Sequence, residues 1–137
     1  HKGASGIMQL MPSTAQRFGL DTASAPSEQI RAGTEFIRLL LKQFNDVEDP
    51  DERIKFVLAA YNIGPGHIID ARNLARKNGA DPDKWEDNVA RFLLSKADPQ
   101  YYKDPVVKFG FCKGKETYRY VTEVLERYEH YRNIVNK

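Results

Sequence analysis

Residues 50–79 read PDERIKFVLAAYNIGPGHIIDARNLARKNG, and this stretch decides the class of fold. Pro50 and Asp51 open a helix, the one place in it where proline is welcome. Ile54, Val57, Leu58 and Tyr61 follow at the spacing of a single apolar helical stripe. The stripe stops at Asn62-Ile63-Gly64-Pro65-Gly66. Gly64 suits the left-handed residue that follows a helix, and Pro65 cannot continue one. A second helix is predicted from about Gly66 to Lys77, ending at Asn78-Gly79. The stretch therefore encodes two helices joined by a tight corner.

The same pattern extends in both directions. Upstream, Ser27 can cap a helix whose face carries Ile30, Gly33, Ile37, Leu40, Leu41 and Phe44. Before it, Ser13 or Thr14 can cap a short helix that ends at Gly19. Downstream, a helix is predicted from near Asp83, carrying Trp85, Val89 and Phe92. A last helix runs from about Lys115 with Val121, Val124, Leu125, Tyr128 and Val135 inward. Between these two lies YYKDPVVKFGFCKGK (residues 101–115), aromatic, basic and broken by glycine, which reads as an irregular loop. Strand signals are nearly absent, so the predicted class is all-α.

Composition sets the bounds. A chain of 137 residues suits one domain, 41% of it apolar and 29% charged, the balance of a globular protein. The net charge of +2 is too small to argue for nucleic acid. Cys112 is the only cysteine, so no internal disulfide can form. The longest apolar run, Phe36 to Leu41, is interrupted by Arg38 and falls far short of the roughly 20 residues of a membrane span. The chain opens on His1-Lys2 without an initiator methionine, and the expectation is that it is a piece of something longer.

Three points at element ends offer chemistry. In GASGIMQLMPSTA (3–15), Gly3 and Gly6 allow close backbone approach. Gln9 offers an amide and a carbonyl that can read an N-acetyl or hydroxyl group, between the adaptable apolar walls of Met8 and Met11. In LAAYNIGPG (58–66), Tyr61 and Asn62 project past the end of a helix. In GKETYRYV (114–121), Tyr118 and Tyr120 flank Arg119. Each has a plainer reading: a tight turn with methionines in the core, a packed tyrosine with a capping asparagine, and tyrosines of a core stripe behind a favourable Glu116 at a helix start. His1, His67 and His130 share no ligand spacing, and no metal or other cofactor is expected.

Together, the three motifs in this order resemble the catalytic domain of the soluble-lytic-transglycosylase-like enzymes, over roughly Gly3 to Tyr128. RIKFVLAAYNIGPGHIIDARNLARKNGADPDKWEDNV followed by YYKDPVVKFGFCKGKETYRYV is similar to the F-type branch, the membrane-bound lytic murein transglycosylases. The resemblance implies a lysozyme-like helical fold and cleavage of the β-1,4 bond between N-acetylmuramic acid and N-acetylglucosamine in peptidoglycan, leaving 1,6-anhydromuramic acid ends. It implies substrate-binding roles for Gly6, Met8, Gln9, Met11, Tyr61, Asn62, Tyr118 and Tyr120. In the family one glutamate acts first as acid and then as base, a substrate-assisted route that needs only one carboxylate. That acid must stay protonated, so an apolar, tyrosine-lined site suits it.

The sequence departs from the family at that glutamate. It belongs to a Glu-Ser motif ahead of the first glycine of the GASG stretch, a position that falls before His1. Glu28, Glu35 and Glu116 do not match it. The expectation is one catalytic domain over residues 1–137, lacking its first, acid-bearing helix and inactive alone. The resemblance further implies a monomer on glycan strands, not nucleic acid, in the bacterial cell envelope. There it would lie on the periplasmic side of the outer membrane, associated through parts outside this chain. The alternatives are a non-catalytic glycan-binding module on the same fold and, less favoured, a helical nucleic-acid binder, which would show a basic stripe and a steep salt dependence.

Overall fold

The computed structural model describes residues 26–135. The short helix expected to end at Gly19, and the positions Gly6, Met8, Gln9 and Met11, lie outside the described residues. Within them the order is α1 (Pro26–Gln43), α2 (Pro50–Ile63), α3 (Pro65–Lys77), an irregular turn at Trp85–Val89, α4 (Ala90–Ser95), a single turn α5 (Pro99–Tyr102) and α6 (Lys115–Val135). No strand occurs among the described residues.

Helix α2 is the centre of the fold. Asp49 caps it, its carboxylate accepting from the Asp51 amide at 2.9 Å, and Pro50 takes the first helical position. Phe56, Val57, Ala59, Ala60, Tyr61 and Asn62 are all buried, because α1, α3 and α6 pack around this one helix. The α2–α3 corner is tighter than the sequence predicts, since α3 begins at Pro65 and a single residue separates the helices. That residue, Gly64, has φ 104° and ψ 143°. It is not the left-handed helical residue expected but an extended one at positive φ, a region reserved for glycine. Its amide still closes on the Ala60 carbonyl at 2.8 Å.

Several expectations are corrected by packing. Ser27 lies inside the first turn of α1, because Pro26 already occupies the start. Of the expected α1 face, Gly33, Leu40 and, just past the helix end, Phe44 are buried and Ile37 is half-buried against the core, but Ile30 and Leu41 are exposed and Ala32 and Phe36 are buried in their place. Apolar residues lie on more than one side of this helix, and the position of α2 selects which side is covered. No helix starts at Asp83. Glu86 is extended, Asp87 sits at φ 61°, and the Val89 amide reaches back five residues to the Lys84 carbonyl at 3.0 Å. Trp85 explains the detour. Its ring is buried edge-on to Phe56, centroids 6.1 Å apart, and its amide donates to Glu52 at 2.7 Å, which holds the backbone off the helical path until Ala90. Arg72 rivets the same region from α3: its guanidinium bonds Asp46, Asp83 and the Pro82 carbonyl at 2.7–2.9 Å and lies over Phe44 and Phe56.

Helix α6 runs antiparallel to α2. Thr117 meets Asn62 at one end, and Arg132 shares a groove with Asp51 at the other. Val121 is buried and Val124 and Leu125 half-buried, but Tyr128 and Val135 are exposed rather than inward. Tyr128 lies along the open groove that Asp51, Ile54 and Leu58 share with Arg132, where it stays in solvent.

Candidate functional site

The antiparallel pairing of α2 and α6 carries the end of one motif to the start of another. Tyr61 and Asn62 lie in the last turn of α2, and Thr117 and Tyr120 in the first turns of α6. The Thr117 hydroxyl donates to the Asn62 side-chain carbonyl at 2.7 Å, away from solvent. Asn62 therefore bridges two helices instead of capping its own. Tyr61 is 4% exposed, its ring tilted against Phe36 with centroids 5.7 Å apart. Burial, and then the neighbouring Tyr120, push the Tyr61 hydroxyl above the usual tyrosine range, and burial pushes Tyr120 the same way. Both hydroxyls thus remain protonated donors across the neutral range.

Tyr118 goes elsewhere. Positions two apart on a helix differ by about 200° in direction, so Tyr118 and Tyr120 cannot share a face. Tyr118 stacks on Trp85, centroids 6.5 Å apart and planes 16° from parallel, and its hydroxyl donates to the Glu86 carboxylate. That bond keeps its proton on, raising its pKa. The structure thus gathers Tyr61, Asn62 and Tyr120 and places Tyr118 on the Trp85 side of α6.

A second polar cluster, unanticipated from sequence, lies just beyond the Gly64 corner. Asp70 of α3 and Lys96, which ends α4, are both fully buried and bonded at 2.7 Å. The Lys96 ammonium also donates to His67 Nδ1 at 2.7 Å, so that nitrogen is an unprotonated acceptor. Burial, and then Lys96, hold the His67 pKa below its ordinary value. Asp70 further accepts the backbone amides of Lys108 and Phe109 at 2.7 and 2.8 Å. One carboxylate therefore ties α3, α4 and the loop before α6 together. A carboxylate on the buried side of α3 was the available sequence signal, but its partners lie 26 to 39 residues away. Among the described residues no group of three or more histidines, cysteines or carboxylates is placed to hold a metal ion.

An all-α core with a tyrosine–asparagine pair ending its central helix defines a class. The transglycosylase SLT domain family matches residues 1–84, and the chain belongs to that family, with its lysozyme-like helical fold. Beyond residue 84 the likeness continues in particular relatives. The chain is 42% identical over 126 residues, 92% of its length, to the membrane-bound lytic murein transglycosylase F of Pasteurella multocida (strain Pm70). It is 41% identical over 134 residues to the protein of that name from Haemophilus influenzae (strain PittGG), covering 98% of this chain and 27% of that one. It is 36% identical over 129 residues to that of Desulfosudis oleivorans, covering 94% and 28%. The chain spans about a quarter of the length of the curated relatives it matches.

Proposed function

We propose that this chain is the glycan-cleaving domain of a peptidoglycan lytic transglycosylase, acting on the β-1,4 bond from N-acetylmuramic acid to N-acetylglucosamine. Family membership favours this over a non-catalytic module on the same fold. The observation that carries it furthest is the meeting of Tyr61 and Asn62 with Tyr120 at the end of α2. Two protonated phenols and an amide pre-fixed by Thr117 form a largely apolar end wall with few, oriented donors, as a sugar site requires. Gly6, Met8, Gln9 and Met11 would complete the cleft from the opening motif. Tyr118 contributes from the far side of α6 by holding Glu86.

In this reaction the acid protonates the bridging oxygen while the substrate's acetamido carbonyl assists at the anomeric carbon. The resulting carboxylate then takes the proton of the C6 hydroxyl, whose oxygen closes on the anomeric carbon, and no water is consumed. Such an acid needs an apolar shelter that raises its pKa. Among the described residues every glutamate is solvent-exposed or ion-paired, as Glu35 is with Arg38 and Glu52 with Lys55. This favours a proton donor outside the described residues. The same reading places the chain in the bacterial cell envelope, on the periplasmic side of the outer membrane, as a monomer. No helix among the described residues is long and apolar enough to cross a membrane.

Digestion of purified sacculi, with products analysed by mass, tests this. The chain starting at His1 should release no anhydromuropeptides. The chain extended upstream by one helix bearing a Glu-Ser pair should release them, and lose the activity when that glutamate becomes glutamine. Reducing ends in place of anhydro ends would mean hydrolysis and overturn the reading.

A further inference from the structure

The loop between α5 and α6 exposes two phenyl rings on a pinned backbone. Phe109 is 57% and Phe111 50% open to solvent. Yet Asp70 holds the amides of Lys108 and Phe109, and the Cys112 amide reaches the Lys96 carbonyl at 3.4 Å. Phe109 has a defined seat. A Cβ added at Gly66 would lie 2.6–2.7 Å from three of its ring carbons. Such nearly equal distances place that position over the ring face rather than beside its edge. Gly66 is thus small to admit this ring, whose other face is open. Phe111 is held edge-on by Tyr102 at 5.7 Å. Gly66 lies four residues after Asn62, so Phe109 borders the corner that carries the candidate site.

Cationic side chains outnumber acidic ones along this loop and the start of α6. Lys103, Lys108, Lys113, Lys115 and Arg119 are all exposed, against Asp104 and Glu116, and Asp104 is already bonded to Lys77 at 2.8 Å. We propose that Phe109 and Phe111, with Lys108, Lys113 and Lys115, form a platform that continues the cleft beyond Asn62. The rings stack on the apolar faces of the sugars, and the ammonium groups meet the carboxylates of the peptides attached to the strand. This rests on the glycan reading of the site. Exposed apolar surface held in one geometry marks a binding surface, and its ordering cost is met before the ligand arrives. The rim charges act at longer range and are screened by salt.

The test titrates the chain with chitotetraose, with a glycan fragment carrying free peptide carboxylates, and with that fragment amidated. Phe109→Ala combined with Phe111→Ala should weaken all three by about tenfold at unchanged melting temperature. Lys113→Gln combined with Lys115→Gln should weaken only the carboxylate-bearing fragment, by roughly three- to fivefold at low salt. Gly66→Ala, which displaces the Phe109 ring without removing it, should mimic the phenylalanine pair. In the unaltered chain, chitotetraose should shift the amide resonances of Gly110 and Phe111. If those resonances stay still, or if the phenylalanine variant binds normally while Asn62→Ala does not, the platform is overturned and the cleft stands. If the unaltered chain binds none of the three probes, the glycan reading fails and takes the platform with it.

Discussion

Two buried polar clusters flank the Gly64 corner, and they are built on opposite principles. On the α2 side, Tyr61, Asn62, Thr117 and Tyr120 are all uncharged, with Thr117 bonded to Asn62 and Tyr61 beside Tyr120. On the α3 side, Asp70, Lys96 and His67 enclose an ion pair with no exposure to water. Neutral groups exchange one partner for another at modest cost, so a ligand can enter their network. Buried charges cannot, because each depends on the other for the solvation that water no longer gives. The first cluster is suited to meeting a substrate, and the second to holding the loop that borders it.

The largest effect should come from breaking the ionic cluster. Asp70→Ala leaves the Lys96 ammonium buried without its counter-charge and releases two loop amides, and should cost about 3–5 kcal/mol of stability. Urea denaturation measures it, and a loss below about 1 kcal/mol would mean that the pair is solvated and the contrast is false. Thr117→Val keeps the shape and removes the hydroxyl that serves Asn62. It should cost about 1–3 kcal/mol, the penalty of one unpaired buried acceptor. Matched urea curves for the two variants would sharpen the distinction, and equal losses would erase it.

The smallest effect is a pH dependence confined to the ionic side. The folded pKa of His67 lies below its unfolded value, so the unfolded chain binds its proton more readily. The contribution is intact above the unfolded value of about 6.5 and declines as pH falls through it, by at most about 1.4 kcal/mol per pH unit. The groups facing this ring are Lys96, which lowers its pKa, and Asp70, which raises it. Asp46 and Asp104, held below the usual aspartate range by bonds to Arg72 and Lys77, lose their contributions only at more acid pH. The stability curves of the parent and His67→Asn chains should therefore run parallel above about pH 6.5 and change their separation as pH falls below it. A parallel course throughout would show that burial and Lys96 do not lower the His67 pKa in the folded chain.

The features legible in the sequence were those that neighbouring residues fix together. Pro50 and Pro65 fix their own φ, Gly64 and Gly79 permit the positive φ that other residues avoid, and helix ends fell within a residue or two of them. The all-α class, the α2–α3 corner and the positions of Tyr61, Asn62 and Tyr120 at helix ends followed from that punctuation. Where the signal was only a pattern of apolar residues, several stripes fitted, and packing chose among them. Helix α1 buried Ala32 and Phe36 in place of Ile30 and Leu41, and Tyr128 and Val135 of α6 stayed in solvent. Asp83 looked like a helix start, but the burial of Trp85 outweighed it. The two-residue offset of Tyr118 from Tyr120 was visible all along, yet only the position of Trp85 gave the odd tyrosine somewhere to go. The pairing of Asp70 with Lys96 was not legible, because a residue's solvation depends on what lies beside it in space. Local conformation is a property of the chain itself, whereas the pairing of a carboxylate with an ammonium 26 residues away exists only once the helices between them have packed.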